Sequence, residues 1–310
     1  MKRSKILLIS VFLFAANIIF SQSRVENYLY AKKDTSNLRM DVYFPEKKIK
    51  KNTCIIYMFG GGFAIGSKSI SDNVSFCKSL SDSGFVVVSI DYRLGMKNVH
   101  AAGIKGYFAL KKSIRMAEED LFSATEFLLA NTDKFGIDDR KIIVCGSSAG
   151  AVSALQTDYD LCNAYISTGS LPTDFRFAGV ISFAGGILSQ HGNLHYAEKP
   201  APVLLFHGID DTVVSYNGQQ KLNVGFFGSN SIAEHFKQNQ YPYNIYRFRN
   251  CGHEIALFPK IYYQKEIVSF IRHISENSQI PINDVIVENC NYPKPAWSNI
   301  KLRDLYKKKH

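Results

Sequence analysis

Ile142-Ile143-Val144-Cys145-Gly146-Ser147-Ser148-Ala149-Gly150 is the stretch that decides the fold. Its first half is an apolar, β-branched run that reads as a buried strand. Its second half is G-x-S-x-G, and a helix-compatible stretch follows. A strand, one tight turn and a helix lift the serine oxygen clear of the sheet, and a glycine two positions either side relieves the crowding of that turn. Ser148 is therefore the candidate nucleophile. Ser147 is given a packing or turn role.

Working outward, the same kind of run recurs. Cys54 to Phe59 ends in Gly60-Gly61-Gly62, Phe85 to Ile90 is continuous, Val180 to Ala184 ends in Gly185-Gly186, and Val203 to Phe206 ends in His207-Gly208. Short runs, apolar on both faces and stopped by glycine, describe a buried parallel sheet. Arg39 to Pro45 alternates sides and stops at proline, as a strand near a sheet edge does. Helical periodicity is clearest from about Ala117 to Asn131, and is also present over Val74 to Leu80 and Tyr262 to Ile274. Strands alternating with helices predict an α/β fold, a mostly parallel central sheet with helices on both faces. No repeat or linker divides the chain. One catalytic domain is expected over residues 22–289, with residues 290–310 a peripheral basic tail.

The ends account for much of the charge. Of the formal net +10, Lys2, Arg3 and Lys5 supply three, and the last ten residues supply a net four, leaving a mild excess for the body. A nucleic-acid partner is not expected. The basic start, an apolar run from Ile6 to Phe20 and the small or polar Ser21-Gln22-Ser23 have the order of a signal peptide over residues 1–21. The run falls short of the ~20 residues of a spanning helix, so export is expected, with the membrane met only in transit. Six cysteines in an exported chain permit disulfides. Cys54 and Cys145 lie in strand-like runs and read as buried thiols, while Cys251–Cys290 and Cys77–Cys162 are candidate bridges.

Three further segments complete a chemistry. In Phe59-Gly60-Gly61-Gly62-Phe63 the glycines let backbone N–H groups approach a ligand, as an oxyanion hole requires, and the segment has neither a P-loop nor a dinucleotide-loop pattern. His207-Gly208-Ile209-Asp210-Asp211 offers two acids just after a strand. Cys251-Gly252-His253-Glu254 offers a histidine in a glycine-containing loop. Serine, acid and histidine then stand in the order that a strand–turn–helix nucleophile requires. His207 is read as support for the acid loop. His191 and His195 have an i,i+4 spacing but a glycine between them and no HExxH context, and no metal or organic cofactor is expected. Phe63, Phe226, Phe227, Tyr241 and Tyr243 are candidates to line an acyl or aryl pocket, and the stretch from Asp91 to Ala117 is placed near its entrance.

The set FGGGF, DYRL (Asp91 to Leu94), FGIDDRKI, GSSAG, HGIDDTVV and GHE resembles the α/β-hydrolase esterases over roughly residues 38–275. It is most similar to the hormone-sensitive-lipase-like and bifunctional acetyl/feruloyl esterase branches. The resemblance implies an α/β-hydrolase fold and serine carboxylic-ester hydrolysis, with a small-molecule or carbohydrate ester as substrate. It selects Asp211 over Asp210 as the acid, His253 as the base, and Gly61, Gly62 and Ala149 as oxyanion donors. It implies a structural ion pair of Asp91 with Arg93 beneath the glycine loop. Phe59 departs from the pattern, standing where the HGGG loop begins with histidine, which bears on how that loop is oriented. A prolyl-oligopeptidase-like peptidase with the same three residues is the alternative reading, disfavoured by the glycine triplet. A non-catalytic binding protein would lack one of the three residues, and an adhesin would act through the basic tail.

Overall fold

The computed structural model describes residues 24–47, 49–100, 103–288 and 292–299. The expected signal peptide over residues 1–21, the basic segment 301–310 and Cys290 lie outside them. Among the described residues, nine strands build the central sheet: β1 (Val25–Lys33), β2 (Ser36–Tyr43), β3 (Asn52–Met58), β4 (Val86–Ile90), β5 (Ile137–Ser147), β6 (Gly179–Phe183), β8 (Val203–Gly208), β11 (Tyr243–Phe248) and β12 (Asn283–Val287). A second sheet of three strands is made of β7 (Gly186–Ser189), β9 (Gln219–Lys221) and β10 (Val224–Gly228).

The spatial order of the large sheet is β1-β2-β4-β3-β5-β6-β8-β11-β12. From β4 to β12 every pairing is parallel, and only the β1-β2-β4 edge is antiparallel. The expected strands are all present. β3, β4, β6 and β8 are buried at every residue, which is why their sequences are apolar without alternation.

The helices are α1 (Ser71–Asp82), α2 (Gly103–Leu129), α3 (Thr132–Phe135), α4 (Ala149–Cys162), α5 (Ser229–Gln238), α6 (Pro259–Tyr262) and α7 (Gln264–Ser275). α4 packs on β3, β5 and β6 with α2 against it, and α7 packs on the same three strands from the opposite face. All fourteen residues of α4 are buried, which makes it the central helix of the domain. α2 begins well before Ala117. Its first turns carry Lys105, Lys111 and Lys112 beside Leu110 and Ile114, and the charged residues obscure the apolar stripe.

Cys77 and Cys162 are not bridged; both are buried thiols, as are Cys54 and Cys145. Burial raises the Cys77 thiol to about 12, so none of its reactivity as a thiolate is expressed near neutrality.

Candidate active site

The site forms at the carboxyl ends of β3, β5, β8 and β11, where loops leave a parallel sheet and side chains from distant segments converge. Ser148 follows β5 directly and starts α4 with φ 51° and ψ −117°, a left-handed conformation that a serine adopts only when its surroundings impose it. Those surroundings are visible in the two flanking glycines. A Cβ on Gly146 would stand 2.2 Å from the Gly150 carbonyl oxygen, and one on Gly150 would stand 2.1 Å from the Met58 carbonyl oxygen. The turn closes only because both positions lack side chains. The Ser148 N–H donates to the Phe183 carbonyl at 2.8 Å and fixes the turn to β6.

The three chemical groups meet. Ser148 Oγ lies 2.7 Å from His253 Nε2, and His253 Nδ1 lies 2.7 Å from Asp211 Oδ2. Asp211 Oδ1 accepts the Val213 and Val214 N–H groups at 2.8 and 2.9 Å, so the carboxylate is held by its own loop. Burial alone would disfavour its ionised form. The charge of His253 and hydrogen bonds from His207 and His253 outweigh that and hold Asp211 well below the ordinary carboxylate range. Asp210 takes no part in this chain of hydrogen bonds. His207 is fully buried, with Nδ1 2.7 Å from Ser229 Oγ and Nε2 3.0 Å from the Val214 carbonyl and 3.3 Å from Asp211 Oδ2. It supports the acid loop, as expected. Glu254, also buried, accepts the Gly252 N–H at 2.9 Å and shapes the histidine loop. Ser147 donates to the Ala256 carbonyl at 2.6 Å, a structural tie between the serine turn and that loop.

The glycine loop faces the serine. Gly62 and Ala149 share a cavity wall with Ser148, and Gly61 lines the neighbouring cavity. Gly61 (φ 134°) accepts the N–H groups of Ala64 and Ile65, which coils the loop toward α4. What orients it in place of the histidine is Tyr92. The Phe59 ring stacks on the Tyr92 ring with centroids 4.5 Å apart, and the Tyr92 hydroxyl donates to the Phe59 carbonyl at 2.7 Å. Tyr92 lies inside the DYRL segment, but its hydroxyl contact spans 33 residues and has no local signal.

Other expectations are corrected. Asp91 and Arg93 do not pair. Arg93 binds Asp120 (2.9 Å), Glu119 (2.7 Å) and Asp34 (3.1 Å), because the fully buried Asp120 carboxylate requires a charged partner. Asp91 instead accepts the Arg39 N–H at 3.3 Å. Of the five aromatic candidates, Phe63 and Phe226 line the cavity beside Ser148, together with Leu110 and Ile114 of α2. Phe227, Tyr241 and Tyr243 pack in the core. His191 stacks on Tyr165 at 4.0 Å in a loop rather than on a helix. The segment expected to be peripheral returns to the site. Trp297 packs edge-on against His253 at 6.1 Å and lines the second cavity, and Ser298 is fully buried.

Comparison with solved structures agrees with this topology. A thermophilic esterase from Thermogutta terrifontis superposes with a TM-score of 0.59 at 21% identity, over 83% of this chain and 93% of that one. The chain has the α/β-hydrolase fold. The BD-FAE family model matches residues 40–187 of this chain, from β2 through the glycine loop and serine turn to β7. Among curated proteins, gut esterase 1 of Caenorhabditis elegans is 33% identical over 113 residues, covering 36% of this chain and 19% of that protein. Carboxylesterase NlhH of Mycobacterium tuberculosis is 25% identical over 132 residues, covering 43% and 37%. The matched region thus spans from about a fifth to under two fifths of these relatives.

Proposed function

We propose that this chain is a secreted serine carboxylic-ester hydrolase acting on short acyl or carbohydrate-linked esters through an acyl-enzyme. The observation that carries the reading is the continuous hydrogen-bonded chain Ser148–His253–Asp211 at a cavity walled by Gly62 and Ala149. Ser148 Oγ attacks the ester carbonyl while His253 Nε2 takes its proton, and Asp211 orients and supports the imidazolium. Amides of Gly61, Gly62 and Ala149 hold the oxyanion, each donor contributing on the order of 3 kcal/mol. His253 returns the proton to the departing alcohol. Water, activated by the same histidine, then attacks the acyl-enzyme and releases the acid.

Support for an ester rather than a peptide comes from the glycine loop and from the esterases among the similar proteins. The Thermogutta esterase was also captured phosphorylated by paraoxon. The test is Ser148→Ala, which should abolish p-nitrophenyl acetate hydrolysis in folded protein and abolish covalent labelling by paraoxon. Turnover retained by the variant overturns the reading, and faster cleavage of a peptide amide than of an ester favours the peptidase. Secretion is tested by expressing the full chain and sequencing the exported protein, which should begin near residue 22.

A further inference from the structure

Ser148 stands between two cavities that share Gly62, Ser148 and Val213. Both walls are largely apolar. The smaller, about 300 Å³, is lined by Phe63, Leu110, Ile114, Val152 and Phe226. The larger, about 480 Å³, has Ile65, Ile70, Leu257 and Trp297 in its wall, but it alone reaches the buried Asn73 and Lys260.

Lys260 is 5% exposed and carries an ammonium with neutral neighbours. Its Nζ donates to the Tyr57 hydroxyl at 3.0 Å and to Asn73 Oδ1 at 3.2 Å. No carboxylate of the described residues lies within the 4.0 Å of an ion pair. Burial lowers its pKa to about 8, the direction expected of a desolvated charge that lacks a close counter-ion. The surrounding network does not depend on the lysine. Tyr57 donates to Asn73 Oδ1 at 2.8 Å, so those two groups satisfy each other without it. Asp72 also lines the cavity, but it is exposed to solvent, where its charge is screened. An anion entering the cavity would supply what the buried ammonium lacks.

We propose that the larger cavity receives a half of the substrate that bears a free carboxylate, bound by Lys260, while the smaller cavity takes an uncharged, apolar half. This rests on the esterase reading of the same site and narrows its substrates to half-esters of diacids or esters of hydroxy acids. Two pairs of esters separate the two placements of the charge. 4-Nitrophenyl hydrogen glutarate against 4-nitrophenyl pentanoate puts it on the acyl half, and 4-acetoxybenzoate against its methyl ester puts it on the alcohol half.

In one pair the acid-to-neutral ratio of kcat/KM should fall about tenfold or more in Lys260→Met and in Lys260→Gln, the size of a lost charge-assisted hydrogen bond. An unchanged ratio in both pairs overturns the proposal. Failure of the wild-type chain to hydrolyse any of the four esters sinks the esterase reading, and the carboxylate site is then judged on binding alone. Trp297 is the single tryptophan of the chain and lines this cavity, so its fluorescence reports occupancy. Monomethyl glutarate should shift it in Ser148→Ala protein, where dimethyl glutarate does so far more weakly. The shift should be lost in Ser148→Ala/Lys260→Met. Equal response to the two esters, or a response retained without Lys260, overturns the carboxylate site.

Discussion

The serine turn and the site entrance are built by opposite means. The turn is fixed by backbone against backbone: glycines at 146 and 150 sit where any Cβ would strike a carbonyl, and the helix it starts is buried throughout. The entrance is assembled from side chains of mixed exposure on segments far apart in sequence, Leu110 and the buried Ile114 from α2, Gln219 and Phe226 from the small sheet, and the exposed Trp297. The first should tolerate almost nothing and the second a good deal. On the proposed reading, rate and fold should depend on the turn side and selectivity on the entrance.

The largest effect that would break this contrast if absent is on rate. Asp211→Asn keeps the shape of the acid but removes the charge that supports His253, and kcat should fall by roughly 10³–10⁴-fold, measured on p-nitrophenyl acetate. A fall of less than tenfold would mean that His207, 3.3 Å from the same oxygen, or another group substitutes for it. Next in size is Gly150→Ala. Its methyl would press on the Met58 and Phe59 backbone, which yields less than a flexible side chain would. A loss of about 3 kcal/mol or more is expected in urea unfolding, or no folded protein at all.

Asp158, buried within α4, sharpens the picture through pH. Its Oδ2 accepts the Ala201 N–H at 3.2 Å, and its Oδ1 has no donor among the described residues. Burial raises its pKa from 3.8 to about 7. The folded chain therefore holds this proton more tightly than the unfolded one. The stability it contributes is complete below the ordinary carboxylate value and is lost as pH rises through about 7. Asp158→Asn should match the parent in acid and exceed it above neutrality by about 1–3 kcal/mol, read from thermal unfolding across pH. The smallest change belongs to the entrance. Trp297→Ala should alter stability by no more than about 0.5 kcal/mol while raising KM several-fold with kcat nearly intact.

Legibility followed the same division. Strands buried on both faces announce themselves by unbroken apolar runs, so β3, β4, β5, β6 and β8 could be read directly. β1 and β12 lie at the sheet edges and half in solvent, and mix Glu26, Lys32 or Asp284 into their runs. The strands of the small sheet are three to five residues long, too short to show a period. Ser148, Asp211 and His253 were legible because each sits beside a glycine or in a loop after a strand. Tyr92, Lys260 and Trp297 were not, since none occupies a local motif. Lys260 illustrates the reason best, a charged residue on a four-residue helix whose partners, Asn73 and Tyr57, lie 187 and 203 positions away.

What the sequence by itself determined is therefore the parallel sheet, the serine turn at residue 148 and the order of its two partners. These rest on local rules: apolar runs that must be buried, and glycines where no Cβ fits. Only the tertiary structure decided which acid meets His253 in space, that Tyr92 holds the glycine loop, that Arg93 answers Asp120, and that Trp297 and Lys260 wall a second cavity. Those outcomes depend on distance and burial between remote segments, and no local pattern of residue types encodes either.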